Sequence, residues 1–211
     1  MAPEELRQRV VAIVGAHPSR TRAEGRKRAL VAYAAVSVAA VAIFETAGGL
    51  AHAAARPASI SSFIAAGMAL LATVAVWAAL GGSVRGRSAT TFVAIVALVP
   101  AATFAWLVAW HGTYVEPADR LGLRCVAFAL ATGGLFLAGI VFVRRGTVAV
   151  RPSLEGAAAG VASGAIATVL VDAWCPLTNA PHVLHGHVAP IAALGVVGAA
   201  CGRWLLAVRA R

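Results

Sequence analysis

The 211-residue chain is 60% hydrophobic and 12% charged, with a mean hydropathy of +0.83. Soluble domains carry about 45–50% apolar and about 25% charged residues, so this composition excludes an ordinary water-soluble enzyme, a disordered chain and a disulfide-stapled secreted module. The 18 Lys+Arg against 8 Asp+Glu give a net charge of +10. On a soluble domain that would point to nucleic acid. In a polytopic membrane protein the same bias arises from topology, so no direct nucleic-acid partner is expected.

Over residues 4–14, Leu6, Val10, Ile13 and Val14 fall on one stripe of a short helix. Glu4 and Glu5 sit in its first turn, where the helix dipole favours acids. Gly15, Ala16, His17 and Pro18 end it, and a basic run containing Arg20, Arg22, Arg26, Lys27 and Arg28 follows. Residues 1–28 therefore read as an amphipathic and basic tail. Leu6, Val10, Ile13, Arg20, Arg22, Arg26 and Arg28 are its candidate contacts for an acidic cytosolic partner.

Residues 29–211 read as a six-helix transmembrane domain. A span needs about 20 mostly apolar residues to cross about 30 Å of hydrocarbon. Six stretches qualify, at 30–51, 60–80, 90–110, 125–143, 156–174 and 188–207, and none shows the period-2 alternation of a barrel strand. The fold class expected is an all-α integral membrane protein. Every Lys and Arg except Arg56, Arg120 and Arg124 then falls on the side that holds both termini, which makes that side cytoplasmic. Trp110, Tyr114 and Trp174 near one interface and Tyr33, Trp77 and Trp204 near the other fit aromatic belts. Lys27 is the only lysine in an alanine-rich chain, as GC-rich codons tend to yield. The expected location is a bacterial inner membrane.

Gly156, Gly160 and Gly164 stripe the fifth span, and Gly198 with Gly202 repeats the spacing on the sixth. Small residues at this spacing let helix backbones approach in lipid, so these stripes predict packing. Pro100 interrupts the third span and predicts a kink.

The topology places Cys125, at the start of the fourth span, level with Cys175, at the end of the fifth. Cys201 lies 13 residues into the sixth span, about 20 Å deeper at about 1.5 Å per residue. Disulfide geometry therefore allows only the Cys125–Cys175 pair. In an oxidising periplasm these thiols can join under oxidant or hold a soft metal. Half of the six histidines, His182, His185 and His187, cluster in the last outer loop. His182 and His185 share a face if that loop is helical. Thiolate and imidazole together suit zinc or copper. Asp172, one turn before Cys175, can bond an imidazole or the surroundings of that cysteine, or reach the headgroups. Glu45 reads as the deepest carboxylate, protonated or paired with His52 or with another span. His111, Glu116 and Asp119 read as solvated loop residues. No zinc-protease, nucleophile-elbow, Walker or dinucleotide motif occurs, so an enzyme is not expected.

Six spans with both ends inside, the Arg-rich tail and Cys125 resemble the NrsF-like bacterial membrane anti-sigma factors. The match extends through Arg144-Arg145-Gly146, Arg151-Pro152 and Leu154, the small-residue fifth span, Cys175-Pro176, and Gly202-Arg203. The resemblance implies an extracytoplasmic-function sigma factor held on the cytoplasmic face by the tail. It also implies release when Cys125 and Cys175 respond to oxidant or heavy metal. No cofactor is required by this reading, although a soft divalent metal would bind transiently. The rival reading is a small transporter or metal-handling protein that uses Glu45, Asp172 and the loop histidines.

Overall fold

A computed structural model describes residues 22–49, 56–80, 88–116, 122–144, 149 and 151–206. Among these, every regular element is helical. Helices α1 (Arg22–Thr46), α2 (Ala58–Leu80), α3 (Ala89–Val108), α4 (Leu123–Arg144) and α5 (Pro152–Trp174) are followed by a composite last helix, α6. It runs through an α turn at Ala180–Val183, a π segment at Leu184–Val188, an α stretch at Ala189–Cys201 and a π segment at Gly202–Leu206. Six helices are thus long and apolar enough to cross a membrane, the last of them over Ala180–Trp204. This is the architecture of a multi-pass membrane protein.

The first and last helices differ in their bounds from the sequence reading. The first helix starts at Arg22, so the basic run at Arg22, Arg26 and Arg28 belongs to its opening turns. It also stops at Thr46, because Gly48 and Gly49 take φ of 105° and 53°, where only glycine is unstrained. Glu45 therefore lies exposed in the last turn of α1 rather than deep within a span. The last helix begins eight residues earlier than expected, at Ala180. Pro181 fits its first turn, and the Asn179 side chain caps it by accepting from the His182 amide at 3.0 Å. The histidine-rich segment is consequently helix and not loop. Pro100 lies within α3.

Helix α5 is the centre of the bundle. It packs against α2, α3, α4 and α6, while α1 lies outside against α4. In its spanning window 78% of α5 is buried, against 11% for α1. The sequence explains this position: most of the first half of α5 is Ala, Gly or Ser, so neighbouring helices can close in around it. The two glycine stripes meet each other. A Cβ at Gly156, Gly160, Gly198 or Gly202 would be driven into a main-chain oxygen of the facing helix. One at Gly164 would come within 2.8 Å of Ile191 Cα. Backbone approach of this kind gathers dispersion contacts where lipid offers no hydrophobic drive. Val161 and Ala165 of α5 pack with Ile95 and Val99 of α3 and Ile191 of α6 in the core. Leu30, Val38, Phe63, Leu70, Trp77 and Trp204 remain exposed, as a lipid-facing surface requires.

Candidate functional site

The site is built where α4 begins, α5 ends and α6 begins. Cys125 sits in the first turn of α4. Cys175 follows α5 in extended conformation, with its amide donating to Val171 O at 2.7 Å. His182 and His187 project from α6 on either side of the switch from α to π winding. Their imidazole centroids are 5.6 Å apart. In an α-helix positions i and i+5 diverge, but a π turn closes i→i+5 bonds and realigns them. That is why His187, and not His185, shares the face of His182. His185 is exposed and hydrogen-bonds through Nδ1 to Pro181 O at 2.8 Å, outside the cluster.

The four ligand atoms of Cys125, Cys175, His182 and His187 all lie within 4.8 Å of one another. Nε2 of His182 is 3.5 Å from Cys125 Sγ and 3.3 Å from Cys175 Sγ. All four residues are buried, and His187 is fully so. Both thiols are free. The Cys125 thiol beside it pulls the Cys175 thiol well below the ordinary cysteine range, against the opposing effect of burial, and His182 and His187 add to the pull. The thiolate form of a cysteine is the one that ligates metals and attacks oxidants. The close packing depends on two glycines. A Cβ at Gly186 would lie 3.1 Å from Cys125 Cβ, and one at Gly122 would lie 3.1 Å from Gly186 Cα.

A second layer fixes this cluster in place. Arg56, just before α2, reaches Asp172 with both guanidinium nitrogens at 3.0–3.1 Å, and its Nη2 also donates to Cys175 O at 3.0 Å. Both side chains are 2% exposed. Burial opposes the Arg56 charge, but Asp172, with Tyr114, more than restores it. Arg56 Nε donates to the Tyr114 hydroxyl at 3.2 Å, and Tyr114 in turn donates to Pro176 O. Trp174 Nε1 donates to Ala47 O at 2.9 Å, tying α5 to the end of α1.

Several sequence expectations are corrected here. Of the expectations for Asp172, the surroundings of the cysteine apply, and neither an imidazole nor the headgroups do: both its oxygens accept from Arg56, which also holds Cys175 O. Glu116 is not a solvated loop residue: it accepts from Thr178 Oγ1 and lies 3.0 Å from His111 Nδ1. Burial raises the Glu116 carboxyl, yet Thr178 and His111 together bring it below the usual range. Arg56 and Tyr114 were missed as site residues. Nothing local in the sequence marks a partnership across 116 residues.

The opposite end of α5 holds a second buried pair, Arg144 at the end of α4 with Glu155 in the first turn of α5. Glu155 also accepts from the Arg151 amide at 3.2 Å. Arg28, from the first turns of α1, stacks its guanidinium 4.2 Å from the Phe142 centroid near the same end. Leu6, Val10, Ile13, Arg20, Asp119 and His52 lie outside the described residues, as do the side chains of Arg22 and Arg26.

Fold and site together define a multi-pass membrane protein with a buried sulfur–nitrogen cluster at one end of its central helix. The chain belongs to the NrsF family, described as negative regulator of sigma F, which matches residues 13–207. That family is one of transcriptional regulators acting on a sigma factor, which is not an enzyme class. No curated protein and no solved structure matches the chain.

Proposed function

We propose that this protein is a bacterial inner-membrane anti-sigma factor that sequesters an extracytoplasmic-function sigma factor and releases it when Cys125 and Cys175 sense oxidant or heavy metal. The observation that carries the sensing half is the buried cluster of two free thiols and two imidazoles at one end of α5. The distribution of Lys and Arg supports placing that end in the periplasm and both termini in the cytoplasm. The tail over residues 1–28, with Leu6, Val10 and Ile13 on one face and Arg20, Arg22, Arg26 and Arg28 beyond it, is the sigma-docking segment in this reading.

The relay is α5 itself. Its 23 residues reach from Cys175 to the Arg144–Glu155 pair, a length of about 34 Å at about 1.5 Å per residue. Moving repression from 99:1 to 1:99 needs about 5.5 kcal/mol of differential stabilisation. A disulfide supplies about 2–4 kcal/mol, so oxidation alone gives partial release. The transporter reading is disfavoured by geometry. Glu45 is exposed at the end of α1 and Asp172 is sealed by Arg56, so they line no common path.

A sigma-dependent reporter tests the reading. Cys125→Ser and Cys175→Ser are expected to repress normally and to lose induction, whereas Cys201→Ser changes neither. Normal induction in the Cys125→Ser, Cys175→Ser double variant would overturn cysteine sensing.

A further inference from the structure

We propose that Cys125, Cys175, His182 and His187 form a closed four-ligand site that holds one thiophilic divalent cation of the zinc class in the resting protein. This rests on the sensor reading of the same cluster and deepens it, since a resident cation turns heavy-metal sensing into exchange at a filled site.

The separations fit a tetrahedral centre. Zinc–sulfur and zinc–nitrogen bonds of about 2.3 and about 2.0–2.1 Å give S···N edges of about 3.5 Å. The two S···N separations at His182 are 3.3 and 3.5 Å, and the whole set of ligand atoms fits within 4.8 Å. Four protein ligands with no open position are the pattern of a structural rather than a catalytic zinc site.

His187 provides the independent observation. It is fully buried, and neither of its ring nitrogens makes a hydrogen bond. Buried polar side chains almost always have a partner, so an imidazole facing two sulfurs in this condition is placed as a ligand. Charge agrees with geometry: two thiolates and a divalent cation sum to zero, the state a buried site tolerates best. The π segment agrees as well. It departs from ordinary helical winding at the one place where doing so brings His187 onto the face of His182. The Arg56 bond to Cys175 O supplies outer support of the kind that metal ligands usually have.

The test uses the full chain in lipid nanodiscs, stripped with chelator under reducing conditions and titrated with Co2+. The expected result is one Co2+ per chain, with the intense visible bands of tetrahedral cobalt and near-ultraviolet thiolate-to-cobalt charge transfer. His187→Ala is expected to weaken Co2+ binding at least about 100-fold, since losing even a group behind a ligand costs about 10–100-fold. His185→Ala leaves affinity and spectrum unchanged. His187→Cys, which keeps a fourth ligand, retains stoichiometric binding with stronger charge transfer and so controls for folding. A wild-type chain without a tetrahedral cobalt spectrum, or His187→Ala with wild-type affinity, overturns the site. A chain that induces through its cysteines yet takes up no cobalt overturns the site and leaves the sensor reading standing. A chain that binds cobalt but induces without its cysteines sustains the site and overturns that reading.

Discussion

At the Asp172 end of α5 the buried arginine comes from far away in the chain, and at the Glu155 end it comes from the helix next door. Arg56 and Asp172 are 116 residues apart, whereas Arg144 and Glu155 are 11 apart. The remote pair does more than join two charges, because Arg56 also holds the carbonyl of Cys175. The local pair ties the end of α4 to the start of α5. A buried ion pair is weak evidence of net stability, because desolvation offsets its Coulomb attraction, but removing one partner leaves a stranded charge. The comparison teaches that one device serves two purposes: register of a reactive cysteine at one end, and anchoring of a helical hairpin at the other.

The largest effect is expected from stranding the remote pair. Arg56→Met should cost about 3–5 kcal/mol of stability, as breaking buried pairs does. The double variant Arg56→Met, Asp172→Leu should recover much of that. Thermal unfolding in nanodiscs measures both, and a loss below about 1 kcal/mol for Arg56→Met would mean that the pair is solvated in the working protein.

A middle-sized effect lies between the two ends. Gly160→Ala pushes a methyl at the Leu194 carbonyl and should cost about 1–3 kcal/mol as overpacking. Gly134→Ala on α4 meets nothing within 4 Å and should instead stabilise by about 0.5–1 kcal/mol through helix propensity. Equal effects at the two positions would remove the case for α5 as a tightly held rod linking the ends.

The smallest effect is acid sensitivity near the Asp172 end. The Glu116 carboxyl is depressed in the folded state, because its bonds to Thr178 and His111 outweigh burial. Its contribution to stability is therefore present above the unfolded carboxylate value, about 4.3, and is lost as pH falls through the folded value. Melting curves from pH 6 downward should show this loss, and Thr178→Val should flatten it. An unchanged acid profile in that variant would remove Glu116 from the bracing of this end.

The six helices were readable from hydropathy alone, because lipid forces length and apolarity on every span. The matched depth of Cys125 and Cys175 followed from the alternation of spans. The sequence shows the histidines clustering just after Cys175, and the structure puts His182 on a helical segment beside both cysteines. Of the three clustered histidines, His182 and His187 stand beside the cysteines and His185 does not, because ordinary α periodicity, which pairs His182 with His185, does not hold across a π turn, and local winding of that kind has no signature in residue type. Glu45 was misplaced because Gly48 and Gly49 were read as continuing an apolar stretch when they end the helix. Arg56 was read only as a topological charge. The Arg144–Glu155 pair had a weak signal in principle, an acid in the first turn after Pro152 facing a basic helix end.

The remote arginine also sets an order of events during synthesis. With translation at about 5–20 residues per second, Asp172 emerges roughly 6–23 seconds after Arg56. Until then Arg56 lacks the carboxylate with which it pairs in the finished bundle. The contacts between α2 and α5 likewise form only once α5 has arrived. A nascent chain stalled before Asp172 would therefore hold Arg56 without its buried partner.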